Sequence, residues 1–464
     1  MFAAACDSTS RNPAGTPFSP PQNPVTARFQ IIHASADAPA VNVTGIPSPI
    51  SGADFKDASG ARTVTAGTYD ITVEGILPDG STTPVIGPAA VPLDADTFTT
   101  ILAIGNDLAI TPLILTQPDT AVPAGNTRLR VVHAAADAPE VSVFLTAPGA
   151  DLTAEMPVDT FEFGEDAGPV EVPAGGPYQI RVTLPFTPPA APTVVFDSGE
   201  IDLPDGASLL VAAVDNTLSA DGIEMGDSPI SLILTAGAEA SEITDVATAA
   251  ELRVVHASAD TPAVDIIVND DLMAPLVDAL TYPNFAPAPT GFVEVPADTY
   301  DISVVDDATQ TAEPINLDGV ALDAGVTYDI LAINEFANVA PLILTDDYRR
   351  LETAAKVRII HASTAADAAS PMGVDIYVTD PTVTDLTGLM PTIDNFMYEA
   401  NTGFIELAPG DYVVTVTADG STMPLIQTPT LTLDANGIYT AIARDPDPAV
   451  ANDVPGLILL DDFN

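Results

Sequence analysis

Tryptophan is absent, cysteine occurs once, and only two lysines are present, Lys56 and Lys356. One cysteine excludes a disulfide framework within the chain. Thirteen Lys and Arg stand against 65 Asp and Glu, a formal net charge of −52. Nucleic-acid phosphates would be repelled by such a surface, so nucleic acid is excluded as a partner. No apolar run approaches the ~18 residues of a membrane helix. No glycine-rich turn is followed by Lys and a helix, which excludes a phosphate-binding loop. No Gly-x-Ser-x-Gly elbow occurs, and strong amphipathic helix patterns are missing. Aromatic residues make up 6%, which counts against a carbohydrate-stacking platform.

What is present points to β-structure. The apolar fraction is 47% and the mean hydropathy +0.27, enough to bury a core. At ~100–150 residues per domain, 464 residues make about three or four. Asp outnumbers Glu 48 to 17. Asp favours turns and supplies oxygen ligands to hard cations, whereas Glu favours helix interiors. The 44 prolines and 30 glycines punctuate short β-branched runs. Such an acidic balance suits high ionic strength, where salt screens the self-repulsion, and equally suits an ordinary acidic extracellular protein.

One unit recurs four times. Its opening reads Arg28-Phe29-Gln30-Ile31-Ile32-His33, Arg128-Leu129-Arg130-Val131-Val132-His133, Glu251-Leu252-Arg253-Val254-Val255-His256 and Lys356-Val357-Arg358-Ile359-Ile360-His361. These hold every histidine of the protein and six of its thirteen basic residues. A turn follows at Asp37-Ala38-Pro39, Asp137-Ala138-Pro139 and Asp260-Thr261-Pro262, stretched in the fourth copy to Asp367 and Pro371. Short strands come next at Val41-Asn42-Val43, Val141-Ser142-Val143, Val264-Asp265-Ile266 and Val374-Asp375-Ile376. Tyr69, Tyr178, Tyr300 and Tyr412 then open a later strand after a turn, in the manner of the tyrosine corner of immunoglobulin-like sandwiches. Six to eight such strands per ~100 residues predict an all-β chain of four tandem immunoglobulin-like antiparallel β-sandwich domains.

The basic-apolar-Arg-(Val/Ile)₂-His-Ala opening, the Asp-x-Pro turn and the Val-Asp-(Ile/Val) strand resemble the bacterial and archaeal family catalogued as domain of unknown function 4397. The resemblance runs from about residue 27 to 464. The second copy departs at Ser142, the first at Asn42, and the fourth inserts residues in its first turn. The resemblance implies a secreted or surface-anchored β-sandwich and brings no activity and no catalytic residue.

The expected boundaries are 1–26 for a lipobox-like segment and flexible tether, then sandwiches at 27–117, 127–236, 250–346 and 355–464. Cys6 follows Ala3-Ala4-Ala5 and precedes Asp7-Ser8-Thr9-Ser10, a pattern similar to a lipoprotein lipobox. Ala3 stands where Leu is usual, and no basic or apolar leader precedes it. Cys6 is therefore a candidate lipid anchor to the cell envelope, and the location is extracytoplasmic, at the surface or secreted. The joint around Tyr348-Arg349-Arg350 could pack as a helical turn, and four sandwiches in line would make a rod on the order of 150 Å.

The repeated residues are read as structural: His33, His133, His256 and His361, Arg130, Arg253 and Arg358, and Asp37, Asp137 and Asp260 pin the first strand to a neighbouring loop or carboxylate. One His and one Asp are too few for zinc, and no triad accompanies them. No catalytic residue is assigned. No cofactor is specified. Calcium is the candidate, since the loops before each last strand carry oxygen donors at Asn106 and Asp107, at Asp215 and Asp221, at Asn334 and Glu335, and at Asp445, Asp447 and Asp453; the favoured alternative is that these Asp and Asn residues form turns on a solvated face. The expected function is a non-enzymatic structural or adhesive cell-surface protein that meets a surface partner or assembles with itself into a filament or layer. The alternative is an extracellular module that binds a glycan or small molecule.

Overall fold

A computed structural model describes residues 25–463 apart from 107–108, 219–226, 289–290, 311–314 and 346. Cys6, Asp107 and Asp221 lie outside the described residues, as does the tether.

The described chain is all-β, in eight sheets, with one short α-helix at Thr364–Ala369 and a 3-10 turn at Phe336–Asn338. Each repeat contributes two sheets. One is antiparallel throughout and contains the short strand after the histidine turn: Val41–Thr44, Val141–Thr146, Val264–Val268 or Val374–Thr379. The other is mixed. Its central strand ends on the histidine and runs parallel to a later strand: Thr26–His33 beside Thr97–Ile104, Asn126–His133 beside Ser208–Asp215, Ala250–His256 beside Thr327–Ile333, and Ala355–His361 beside Ile438–Arg444. The sequence pattern predicts antiparallel pairing alone. The parallel pair arises because the chain leaves this sheet, crosses through the other one and returns in the original direction.

Four apolar cores follow the four repeats. Phe29, Ile31 and Val43 sit in the first, Leu129, Val131 and Val143 in the second, Leu252, Val254 and Ile266 in the third, and Val357, Ile359 and Ile376 in the fourth. A fifth and a sixth cluster lie between repeats. Ile32, Leu102 and Leu115 meet Val132, Ala212 and Ile233, while Val255, Leu331 and Leu344 meet Ile360, Ile442 and Leu460. The histidine strands are therefore covered on both faces. The polar residues between the apolar ones, Gln30, Arg253 and Arg358 among them, are buried there as well. This coverage alters the shape expected from sequence. Repeats pack in pairs, mixed sheet on mixed sheet, and not in line as a rod.

Two local devices recur. Each repeated tyrosine donates its hydroxyl to a carbonyl just upstream: Tyr69 to Thr65 (2.7 Å), Tyr178 to Pro173 (3.0 Å), Tyr300 to Pro296 (2.7 Å) and Tyr412 to Ala408 (2.7 Å). The second is a β-bulge opposite the Val-Asp-Ile strand. Gly52, Ala279 and Asn395 take positive φ there, and their N–H groups donate to Asn42, Asp265 and Asp375 at 3.1, 2.8 and 3.2 Å. In the second repeat Ser142 replaces the Asn or Asp and bonds Thr160, and the pairing runs on without a bulge. The departure of Ser142 from the repeat thus matches a change of register.

Candidate functional site

The four histidines end strands that lead straight into the Asp-x-Pro turn. In three repeats the ring is buried and Nε2 donates to the proline carbonyl six residues on: His33 to Pro39 (3.1 Å), His133 to Pro139 (3.0 Å) and His256 to Pro262 (3.0 Å). A carbonyl can only accept, so the proton sits on Nε2. Each ring also meets an aromatic edge, Phe55, Phe163, Tyr282 or Tyr398. The fourth repeat differs. Its inserted helix Thr364–Ala369 occupies the turn, and neither ring nitrogen of His361 has a partner among the described residues. Burial lowers the pKa of His33, His256 and His361.

The Asp- and Asn-bearing loops cap these same turns. Asp215, whose pKa burial raises, accepts from the N–H groups of Ala136 and Asp137 at 2.9 and 3.0 Å. Asp445 accepts from Ser363, Thr364 and the N–H of Ala365. Asp260 accepts from the N–H of Phe336, beside Glu335. Asp453 accepts from the N–H of Asp447 and from Arg444, which hold its pKa down to about 2. Asn106 reaches across to Asp137 at 3.4 Å. Asn334 contacts Tyr398 and Glu399, and Tyr282 donates to the carbonyl of Asp445. The third and fourth repeats thus exchange loop contacts in both directions, and in the first pair the loop of the first repeat reaches the turn of the second. Of the donors proposed from sequence for calcium, Asn106, Asp215, Asn334, Asp445, Asp447 and Asp453 are engaged as turn caps and cross-repeat ties.

Among the described residues, carboxylates gather instead at Asp265, Asp278 and Asp307 and at Asp375, Asp394 and Asp419, with oxygens within 4.8 Å of one another. The Val-Asp-Ile motif carried this signal. The first member of each trio is already committed to the bulge, and Asp375 also accepts from Gly420 at 2.9 Å. Asp375→Ala should cost about 1–3 kcal/mol, since two N–H groups lose their acceptor. Urea unfolding checks this, and the loss should be equal with calcium and with chelator. A loss present only with calcium would make the trio a cation site.

The densest chemistry lies between the third and fourth repeats. Arg253 and Arg358, each buried, converge on Asp329. Arg253 donates through Nε to Oδ1 (2.7 Å) and through Nη2 to Oδ2 (3.1 Å), and through Nη1 to Asp461 (2.5 Å). Arg358 pairs with Asp329 and bonds Thr440. The Tyr348 hydroxyl donates to Asp329 at 2.7 Å and lies within reach of both guanidiniums. Phe292 lies against Arg253 and Phe404 against Arg358, at 4.5 and 4.8 Å from ring centroid to guanidinium. Two positive and two negative side chains balance. Burial raises the pKa of Asp329, but the two arginines outweigh it and hold the carboxyl well below the usual range. The first pair of repeats has a lighter version. Gln30 bonds Thr100 at 3.0 Å, and Arg130 bonds Asp166 at 2.7 Å.

Tyr348 comes from the joint between the repeats, whose described residues form no helix. The next residue, Arg349, turns the other way. It donates to the carbonyls of Ala36 and Ala38 at 3.1 and 2.8 Å and pairs with Asp54, all in the first repeat. Arg350 binds Asp462 in the fourth. Adjacent side chains thus tie one pair of repeats to the other. A cleft of about 400 Å³ opens beside them, lined by Asp54, Phe55, Lys56, Thr327, Thr345 and Arg349.

No curated protein matches this chain. A solved structure from Bacteroides fragilis, provisionally described as a cell adhesion protein, is 10% identical over 46% of this chain and 97% of its own, with a TM-score of 0.12. No helix of the described residues is long and apolar enough to cross a membrane. The family model of domain of unknown function 4397 matches residues 27–144 and 250–370, which include all four histidines, His33, His133, His256 and His361. Those two matches cover just over half of the sequence, and the chain belongs to the DUF4397 family.

Proposed function

We propose that the chain is a non-enzymatic structural or adhesive protein of the cell surface. In this reading four immunoglobulin-like sandwiches, at 27–117, 127–236, 250–346 and 355–464, form two face-to-face pairs on an N-terminal tether anchored at Cys6. The observation that carries it is that the residues common to the repeats are occupied in holding the fold. Three histidines are bonded to carbonyls, the arginines to carboxylates, and the tyrosines to carbonyls upstream. A scaffold repeats such pins, whereas a reactive centre needs a group left free beside a cleft. The tyrosine bonds also favour the immunoglobulin-like assignment.

Light scattering on the full chain, at low and high salt and with or without millimolar calcium, separates two forms of this proposal. A 47.7 kDa monomer in every condition supports a display scaffold, while regular growth supports a filament or layer subunit. Protease treatment of intact cells should remove the protein from the cell fraction. Full protection would place it inside and end the reading. The cleft beside Arg349 favours the second reading, a small-molecule module, because 400 Å³ falls within the ~300–1,000 Å³ of ligand sites. A thermal shift with monosaccharides above that of salt controls would support it.

A further inference from the structure

Methionine is a common filler of irregular cores. None of the seven apolar clusters of this protein contains one. All six methionines in the described chain, at 156, 273, 372, 390, 397 and 423, are exposed. Three of them recur at one place. Met156, Met273 and Met390 lie in the loop between the strand after the histidine turn and its short antiparallel neighbour, in repeats two, three and four. Their exposures are 87%, 92% and 87%, the highest of any large apolar side chain in the described residues. Proline follows within two residues each time, at Pro157, Pro275 and Pro391. The first repeat has Ile46-Pro47 in this loop, and Ile46 is buried. Packing gives no reason for a thioether at these tips. Tryptophan, the other readily oxidised large side chain, is absent from the whole sequence.

We propose that Met156, Met273 and Met390 are oxidant-accepting sites, converted to methionine sulfoxide by hydroperoxides while the fold stays intact. The sulfur lone pair attacks the distal oxygen of the peroxide. An S–O bond forms, the O–O bond breaks, and after proton transfer the second oxygen leaves as water from hydrogen peroxide or as the alcohol from an organic hydroperoxide. Sulfur loses two electrons and the peroxide gains them. A buried methionine turned into a polar sulfoxide disrupts its core. Here the new dipole points into solvent, and no described core holds a thioether to be damaged.

The test uses the full chain, hydrogen peroxide as the probe and peptide mapping by mass. Each of the three should gain one oxygen at a rate within about threefold of a free methionine amide. The unfolding midpoint of the oxidised protein should stay within about 1 °C of the untreated one. The variant Met156→Leu/Met273→Leu/Met390→Leu should keep that midpoint and take up three fewer oxygens. Protection of any of the three sites by more than about tenfold would overturn the proposal. So would a midpoint that falls by several degrees on oxidation of the wild type but not of the variant.

Discussion

Asp329→Ala is expected to lower stability by about 3–5 kcal/mol, because it leaves buried guanidinium charge without its carboxylate. Arg253 and Arg358 are each 1% exposed, so neither can turn to water. Arg253 keeps Asp461, but Arg358 is left with neutral hydroxyls at Thr440 and Tyr348. Urea unfolding followed by tyrosine fluorescence reads the effect, since Tyr348 sits in the cluster and no tryptophan competes. A loss below about 1 kcal/mol would mean the charges are not held as described. Replacing Arg253, Arg358, Asp329 and Asp461 together by apolar residues of similar size should come within about 2 kcal/mol of wild type, because the desolvation cost disappears with the attraction. The contrast separates the cost of breaking the cluster from its net worth. It also asks what the cluster is for. Apolar faces such as Val255 against Ile360 slide easily, whereas two arginines on one aspartate admit a single register of the third repeat on the fourth.

Much of this was legible in the sequence, and the rest fails for identifiable reasons. The repeat, the strands and the tyrosine signal are local patterns, and each is found where the spacing placed it. Pairing is not local. Nothing in Arg253-Val254-Val255 announces that its neighbour is Asp329-Ile330-Leu331 running the same way. The double coverage of the histidine strands was hidden, because Gln30, Arg253 and Arg358 interrupt their apolar residues and read as a solvated face, whereas they are buried against another repeat. Asp and Asn in loops suit both turn caps and cation ligands. Asp215 and Asp445 show that here the caps take the oxygens. Ser142 was the readable clue to register, since it alone of the four equivalent residues faces an unbulged neighbour.

Acid should destabilise this protein in two stages, the first set by histidine. The rings of His33, His256 and His361 are buried neutral, and burial holds their pKa below the ordinary value of about 6.5. The unfolded chain therefore binds these protons more readily than the folded one. Their contribution is whole above pH ~6.5 and falls as pH drops from there toward the folded values, by at most about 4 kcal/mol per pH unit when all three titrate together. Carboxylates held low, Asp329 above all, act later: their contribution is present above pH ~4 and lost below it. Stability measured by urea at fixed high salt should thus decline between about pH 6.5 and 5 before the general acid transition. Two variants resolve the histidines. His256→Phe removes the bond to Pro262 and should cost about 1–2 kcal/mol at pH 7.5. His361→Phe removes a ring whose nitrogens have no partner among the described residues, so it should be nearly neutral at pH 7.5 and stabilising at pH 5.5. Nearby Asp367 and Asp445 oppose this by favouring the imidazolium, and burial outweighs them. If His361→Phe is no more stable than wild type at pH 5.5, those carboxylates neutralise the charged ring, and the inserted turn of the fourth repeat has rebuilt the pin in another form.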